Sequence, residues 1–205
     1  MNVLDYKTIV VLFEPMQGGN HLSNMLSTSL KLQNRVDVVD YNGYLLNQYQ
    51  TAKTSHAHFT DLHNVGANDI DKLISSMRRD SLLPQIICGH IFETYYVIDY
   101  IKQHGPVGII NFESFNLKEC VLNRMGMLDN KPSARSLLEW AHRSEVVGKT
   151  LGIDSQHMYS IDTNQLFEKD VTPLLEQINL DLGLELDLVF CMELHKLWAN
   201  RIKLL

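Results

Sequence analysis

A chain of 205 residues, 45% hydrophobic and 20% charged, can bury a sizeable core, and one globular domain over residues 1–205 is the expectation. The net charge of -6 and pI of about 5.8 argue against a broad surface for nucleic acid or anionic membrane, and leave room only for a local cationic pocket. Asp5 precedes any apolar run, unlike a signal peptide, and no apolar stretch approaches the roughly 20 residues that span a bilayer. The three cysteines, Cys88, Cys120 and Cys191, are scattered and lack metal spacing, so a reduced, cytoplasmic setting is expected.

In chain order, Thr8–Phe13 is a short β-branched run expected to form a buried parallel strand. A Pro, two glycines and an Asn follow, then a helical spacing of Leu22, Met25, Leu26 and Leu30 that predicts a helix over about Asn20–Leu32. Arg35–Val39 reads as a second strand. Tyr41–Val65 is a long polar excursion with a short helix at Gly43–Tyr49, and a helix capped by Asn68 or Asp69 runs to Arg79. Pro84–His90 is a third strand and Phe92–His104 a helix, broken by Gly105-Pro106 ahead of a fourth strand, Val107–Phe112. Helices from Asn116 and over Ser133–Leu151 lead to a fifth strand, His157–Ile161. Amphipathic helices at Val171–Leu182 and Asp187–Ile202 close the chain. Alternating strands and helices predict an α/β fold, with ligands at the carboxyl ends of a mainly parallel sheet. The polar tips after Phe13, Cys88 and Phe112 would then converge.

The turn after the first strand carries the chemistry. A strand, a Gly-containing turn and a helix aim backbone N–H groups and the positive end of the helix dipole at an anion. A tight strand-to-helix connection with no ligand is the plainer alternative. The nucleotide loop G-x-x-x-x-G-K-[ST] is absent, because no Lys-Ser or Lys-Thr follows Gly18-Gly19.

Pro15-Met16-Gln17-Gly18-Gly19-Asn20-His21-Leu22 aligns without a gap to P-[KR]-S-G-[ST]-[ST]-[WL]-L and so resembles the donor loop of the sulfotransferase superfamily. The tip Ile87-Cys88-Gly89-His90-Ile91 looks like that family's strand ending in K-T-H or G-H. Met158–Phe167 is similar to its strand followed by Y-E-D-L, and Asp181–Leu186 to its F-L-G-L. The order of these short motifs covers most of the chain. The resemblance implies a three-layer parallel sheet of about five strands, P-loop-like and of sulfotransferase type. It also implies a donor, 3′-phosphoadenosine 5′-phosphosulfate (PAPS), and transfer of its sulfuryl group to a hydroxyl or amine on a small molecule or glycan, with no metal. Gln17, Gly18, Gly19, Asn20, His21 and Leu22 would hold the 5′-phosphosulfate. His90 would act as acceptor base, and Ser114, Asn123 and Arg124 fall near the 3′-phosphate positions.

The pattern departs from the family at several places. Met16 stands where the family has a basic residue, Cys88 where the cytosolic branch has Lys, and the strand end Asn111-Phe112-Glu113-Ser114 has no Arg. Arg124, Arg135 or Arg143 could replace the missing cation. A noncatalytic protein binding 3′-phosphoadenosine 5′-phosphate (PAP) or another phosphorylated ligand is the alternative, and a nucleotide-dependent kinase a more distant one. His56, His58, Asp61 and His63 are read as a solvated loop rather than a metal site. Arg143 and Glu139 are spaced for a surface ion pair, and Trp140 and Trp198 are read as core or interface aromatics.

Overall fold

Thr8–Phe13 forms strand β1, and all six of its residues are buried. The structure, a computed structural model, describes residues 1–14, 17–32, 60–61, 82–91, 102–103, 105–113, 133–152 and 154–201. Four more strands lie parallel in the same sheet: β2 (Thr60–Asp61), β3 (Gln85–His90), β4 (Val107–Phe112) and β5 (Met158–Ile161). The order is β2-β3-β1-β4-β5, so β1 is central. β2 is a two-residue piece at the edge beside β3. The registers set Phe13 beside His90 of β3, and Leu12 beside Asn111 of β4.

Parallel strands covered on both faces become continuous apolar runs. Ile9, Val11 and Phe13 join one core cluster with Ile86 and Cys88 of β3 and Ile110 and Phe112 of β4. Val10, Leu12, Ile87 and Ile109 alternate with them onto the opposite face and are fully buried too. The helices among the described residues are α1 (Gly19–Leu26), α2 (Ala134–Leu151), the single turn α3 (Thr163–Leu166), α4 (Thr172–Leu182) and α5 (Leu188–Arg201). α1 packs on β1, β3 and α5, while α4 packs on α5. This is an α/β fold built on an all-parallel sheet. No helix among the described residues is long and apolar enough to cross a membrane.

α1 stops at Leu26, short of the expected Leu32. The hydroxyls of Ser27 and Thr28 take the carbonyls of Ser23 and Met25, and the N–H groups of Thr28 and Ser29 reach back only three residues. Local side-chain bonds of this kind compete with the α-helical ladder. Leu30, expected on the apolar face, is consequently 50% exposed, whereas Leu22, Met25 and Leu26 are fully buried. The freed segment grips the α4–α5 link instead: Leu30 N–H donates to the Glu185 carbonyl, Glu185 N–H to Ser29 Oγ and Asp187 N–H to Thr28 Oγ1.

Side-chain acceptors mark the starts of other helices. Ser133 Oγ accepts from the Ser136 N–H ahead of α2, and Asp187 Oδ1 from the Phe190 N–H ahead of α5. α4 ends on Gly183 at φ 66°, a left-handed stop that glycine adopts without strain. Leu138 of α2 is 65% exposed. The expected strand Arg35–Val39, the helices at Gly43–Tyr49, Asn68–Arg79 and from Asn116, and most of Phe92–His104 lie outside the described residues.

Candidate functional site

Central position in the sheet brings the carboxyl end of β1 between those of β3 and β4, and α1 starts there. Gly18 is the N-cap of α1, with φ 81° and ψ 20°, and no side chain caps the helix. A β-carbon on Gly18 would sit 2.9 Å from Leu166 Cδ2 and 3.2 Å from Trp198 Cζ2, and one on Gly19 would overlap the Phe13 ring. These two glycines therefore answer both a left-handed backbone and a close approach of the chain to its walls. The first helical hydrogen bond runs from the Leu22 N–H to the Gly18 carbonyl at 2.9 Å. Leu22, expected among the anion donors, thus spends its N–H inside the helix. The N–H groups of Gly19 and Asn20 precede that bond, at the positive end of the dipole.

The side chains around the turn divide between scaffold and opening. Gln17, expected as an anion donor, is fully buried. Its Oε1 accepts the Glu14 N–H at 2.6 Å, and its Nε2 donates to Thr163 Oγ1 of α3 at 3.4 Å. His21 is buried as well: its ring stacks on Trp198 at 4.3 Å between centroids, and its Nε2 lies 3.2 Å from His195 Nδ1. His195 Nε2 is 2.8 Å from the Glu168 carbonyl oxygen, which can only accept. The His195 Nε2 therefore carries the proton, its Nδ1 accepts, and His21 Nε2 donates. Burial holds the His195 pKa below the ordinary imidazole value, against the opposing pull of the Glu168 carbonyl and Asp170.

Asn20 and His90 sit closer to solvent. Both are half-buried. Asn20 Oδ1 accepts the Cys88 thiol of β3 at 3.4 Å, and His90 meets the Phe13 ring edge-on at 5.2 Å between centroids. β3 thus brings Cys88 and His90 alongside the first turn of α1. Asn111, at the end of β4, is buried and accepts from Ser160 Oγ at 2.9 Å. Ser114, Asn123 and Arg124, like Pro15 and Met16, lie outside the described residues, as do His56, His58 and His63. Among the described residues no group of three or more His, Cys, Asp or Glu is arranged to hold a metal ion.

Glu14, directly after β1, is wholly buried and is gripped by α2: Arg143 Nε meets its Oε1 at 2.7 Å and Arg143 Nη2 its Oε2 at 2.8 Å. The Glu14 hydrogen bond is the main reason the Arg143 pKa rises. Arg143, expected to pair with Glu139 on the surface, is held chiefly by Glu14; Glu139 adds a smaller electrostatic pull on it and pairs with Arg135 at 2.8 Å on the exposed face. Arg143 and Arg135, the described candidates for a replacement cation, are both bound to carboxylates. The signal that could have found the pair is an acid placed at the buried end of an all-apolar strand, which demands a partner.

A cavity of about 380 Å³ opens elsewhere, at the amino ends of β4 and β5, between Lys102, Pro106, Val107, Asp154 and His157. It lies at the opposite end of the strands from the turn and shares no residue with it. Set against known proteins, the chain matches no family model, and no curated protein matches it significantly.

Proposed function

We propose that the β1–α1 turn binds a phosphate-type anion, and that the protein is a P-loop-like member of the sulfotransferase type using PAPS as donor. The single observation that supports this reading is Gly18. It caps α1 in a left-handed conformation without a side chain, at the carboxyl end of the central strand, so the start of the helix is left to an external acceptor. In this reading Gly19 and Asn20 bind the 5′-phosphosulfate through their N–H groups, with the Asn20 carboxamide beside them. His90, next to Phe13 across the β3–β1 register, takes the proton of a hydroxyl or amine on a small-molecule or glycan acceptor. The test is thermal unfolding with PAP: saturating ligand raises the melting temperature by mass action. No shift at millimolar PAP in a folded sample removes the reading.

The inward side chains of Gln17 and His21 favour a second reading. With both spent on internal contacts, and Arg143 neutralised on Glu14, the described turn offers mainly backbone donors. Backbone donors hold an anion, whereas stabilising charge on a departing group calls for an aimed cation. A protein that binds PAP and transfers nothing fits this geometry. PAP binding with no sulfuryl transfer across a broad acceptor panel would select it, and turnover lost in His90→Ala with PAP binding kept would select the enzyme.

A further inference from the structure

Asn24 stands one turn along α1 from Asn20 and is completely buried, yet neither its Oδ1 nor its Nδ2 has a hydrogen-bond partner among the described residues. Its polar neighbours on the helix have local outlets: Ser23, Ser27 and Thr28 turn their hydroxyls onto the carbonyls of Gly19, Ser23 and Met25. Asn24 makes no such bond to its own helix. A buried amide with both atoms unpaired is destabilising, and a leucine of similar size would avoid the penalty.

Residues four apart share a helix face, and helical side chains lean toward the amino end. Asn24 therefore leans toward Asn20, which in turn is bonded to Cys88 on the β3 flank. Four residues of helix rise about 6 Å, so the two carboxamides form a ladder leading down from the anion-binding end of α1.

We infer that Asn24 is a second recognition point for the ligand of the β1–α1 turn, binding an uncharged hydroxyl or amide group carried beside the anion. The inference rests on the anion-binding reading of that turn. One hydroxyl can donate to Oδ1 and accept from Nδ2, and so satisfies both atoms at once. The anion stays on the Gly19 and Asn20 N–H groups, and the adjoining hydroxyl passes between α1 and β3 to Asn24. A bare phosphate reaches the first point and not the second. Buried polar groups that a ligand must satisfy discriminate strongly against analogues lacking the matching group.

The experiment compares wild type with Asn24→Leu, using two probes: PAP, which carries a ribose hydroxyl, and inorganic pyrophosphate, which carries none. Asn24→Leu should melt higher than wild type without ligand. It should lose about tenfold in PAP affinity and keep its pyrophosphate affinity. Equal PAP affinity in the two proteins overturns the inference alone, as does an equal loss for both probes, which would mark a structural role. No binding of either probe to wild type overturns the anion reading and this inference together. Asn24→Ala, read with the same probes, serves if Asn24→Leu fails to fold.

Discussion

Glu14 and Arg143, brought together from the end of β1 and the middle of α2, form a two-point ion pair whose carboxylate is wholly buried. An acid at this place would repel any anion approaching the start of α1. The guanidinium cancels that repulsion and anchors α2 to the turn in the same contact. Two parallel N–H···O bonds also fix the direction of Arg143, which a lysine could not do.

Arg143→Met leaves the carboxylate uncompensated. Breaking a buried pair in this way costs about 3–5 kcal/mol, and the 31% exposure of the Arg143 side chain places the expected loss near 3 kcal/mol. Urea unfolding measures it. The double variant Glu14→Leu/Arg143→Met should recover most of the loss. A double variant as unstable as the single one would assign the effect to packing of the arginine stem, not to charge.

Gly18 and Gly19 should differ in their response to alanine. Gly18→Ala meets a left-handed backbone, a strain of about 1–2 kcal/mol, and a contact with the end of the Leu166 side chain that can move. Gly19→Ala drives a β-carbon into the Phe13 ring, which is held in the core and by its edge-on contact with His90. Overpacking of that kind costs about 1–3 kcal/mol and here also displaces the start of α1. Gly19→Ala should therefore lower the melting temperature and weaken PAP binding together. Wild-type behaviour in both measurements would mean that the turn tolerates a side chain there.

His195 should make stability depend on pH. Its folded-state pKa lies below the ordinary value of 6.5, with burial as the main cause. Below pH 6.5 the unfolded chain takes up the proton before the folded one does, so it binds more protons and gains relative to the native state. The contribution of His195 is thus fully present above pH 6.5, and is lost as the pH falls toward and through the lowered folded value. His195→Gln should flatten the stability profile in that window. A variant that keeps the wild-type slope would move the effect to another group.

β1, β3 and β4 were legible because each is a short apolar run, rich in Ile or Val and buried on both faces. β5, by contrast, is half-buried along Met158–Ser160 and begins at Met158, one residue after the expected His157. β1 and β4 fall on the expected residues, and β3 begins one residue late because Pro84 cannot donate to the ladder. β2 was not, since two residues carry no periodicity. The end of α1 was misjudged because apolar spacing continued to Leu30, while Ser27 and Thr28 diverted the carbonyls below it. The glycines of the turn were visible as glycines; the positive φ belongs to Gly18, and the close approach of a wall to both. The direction of Gln17 and His21 was not visible, because a polar residue beside glycines looks the same whether it faces a ligand or Thr163 and His195. Glu14–Arg143 joins two segments whose local patterns each read as complete, and Arg143 had a nearer carboxylate, Glu139, at helical spacing.

Trp198 and Leu166 wall in Gly18, so the turn near the start of the chain is finished by residues close to its other end. During synthesis at about 5–20 residues per second, Trp198 follows Gly18 by roughly 10–40 s. For that interval the nascent turn has its glycines and no wall. A ribosome-bound chain stalled before α5 should therefore present the glycines of the turn without their wall, and the turn can close only once α5 is free to pack against it.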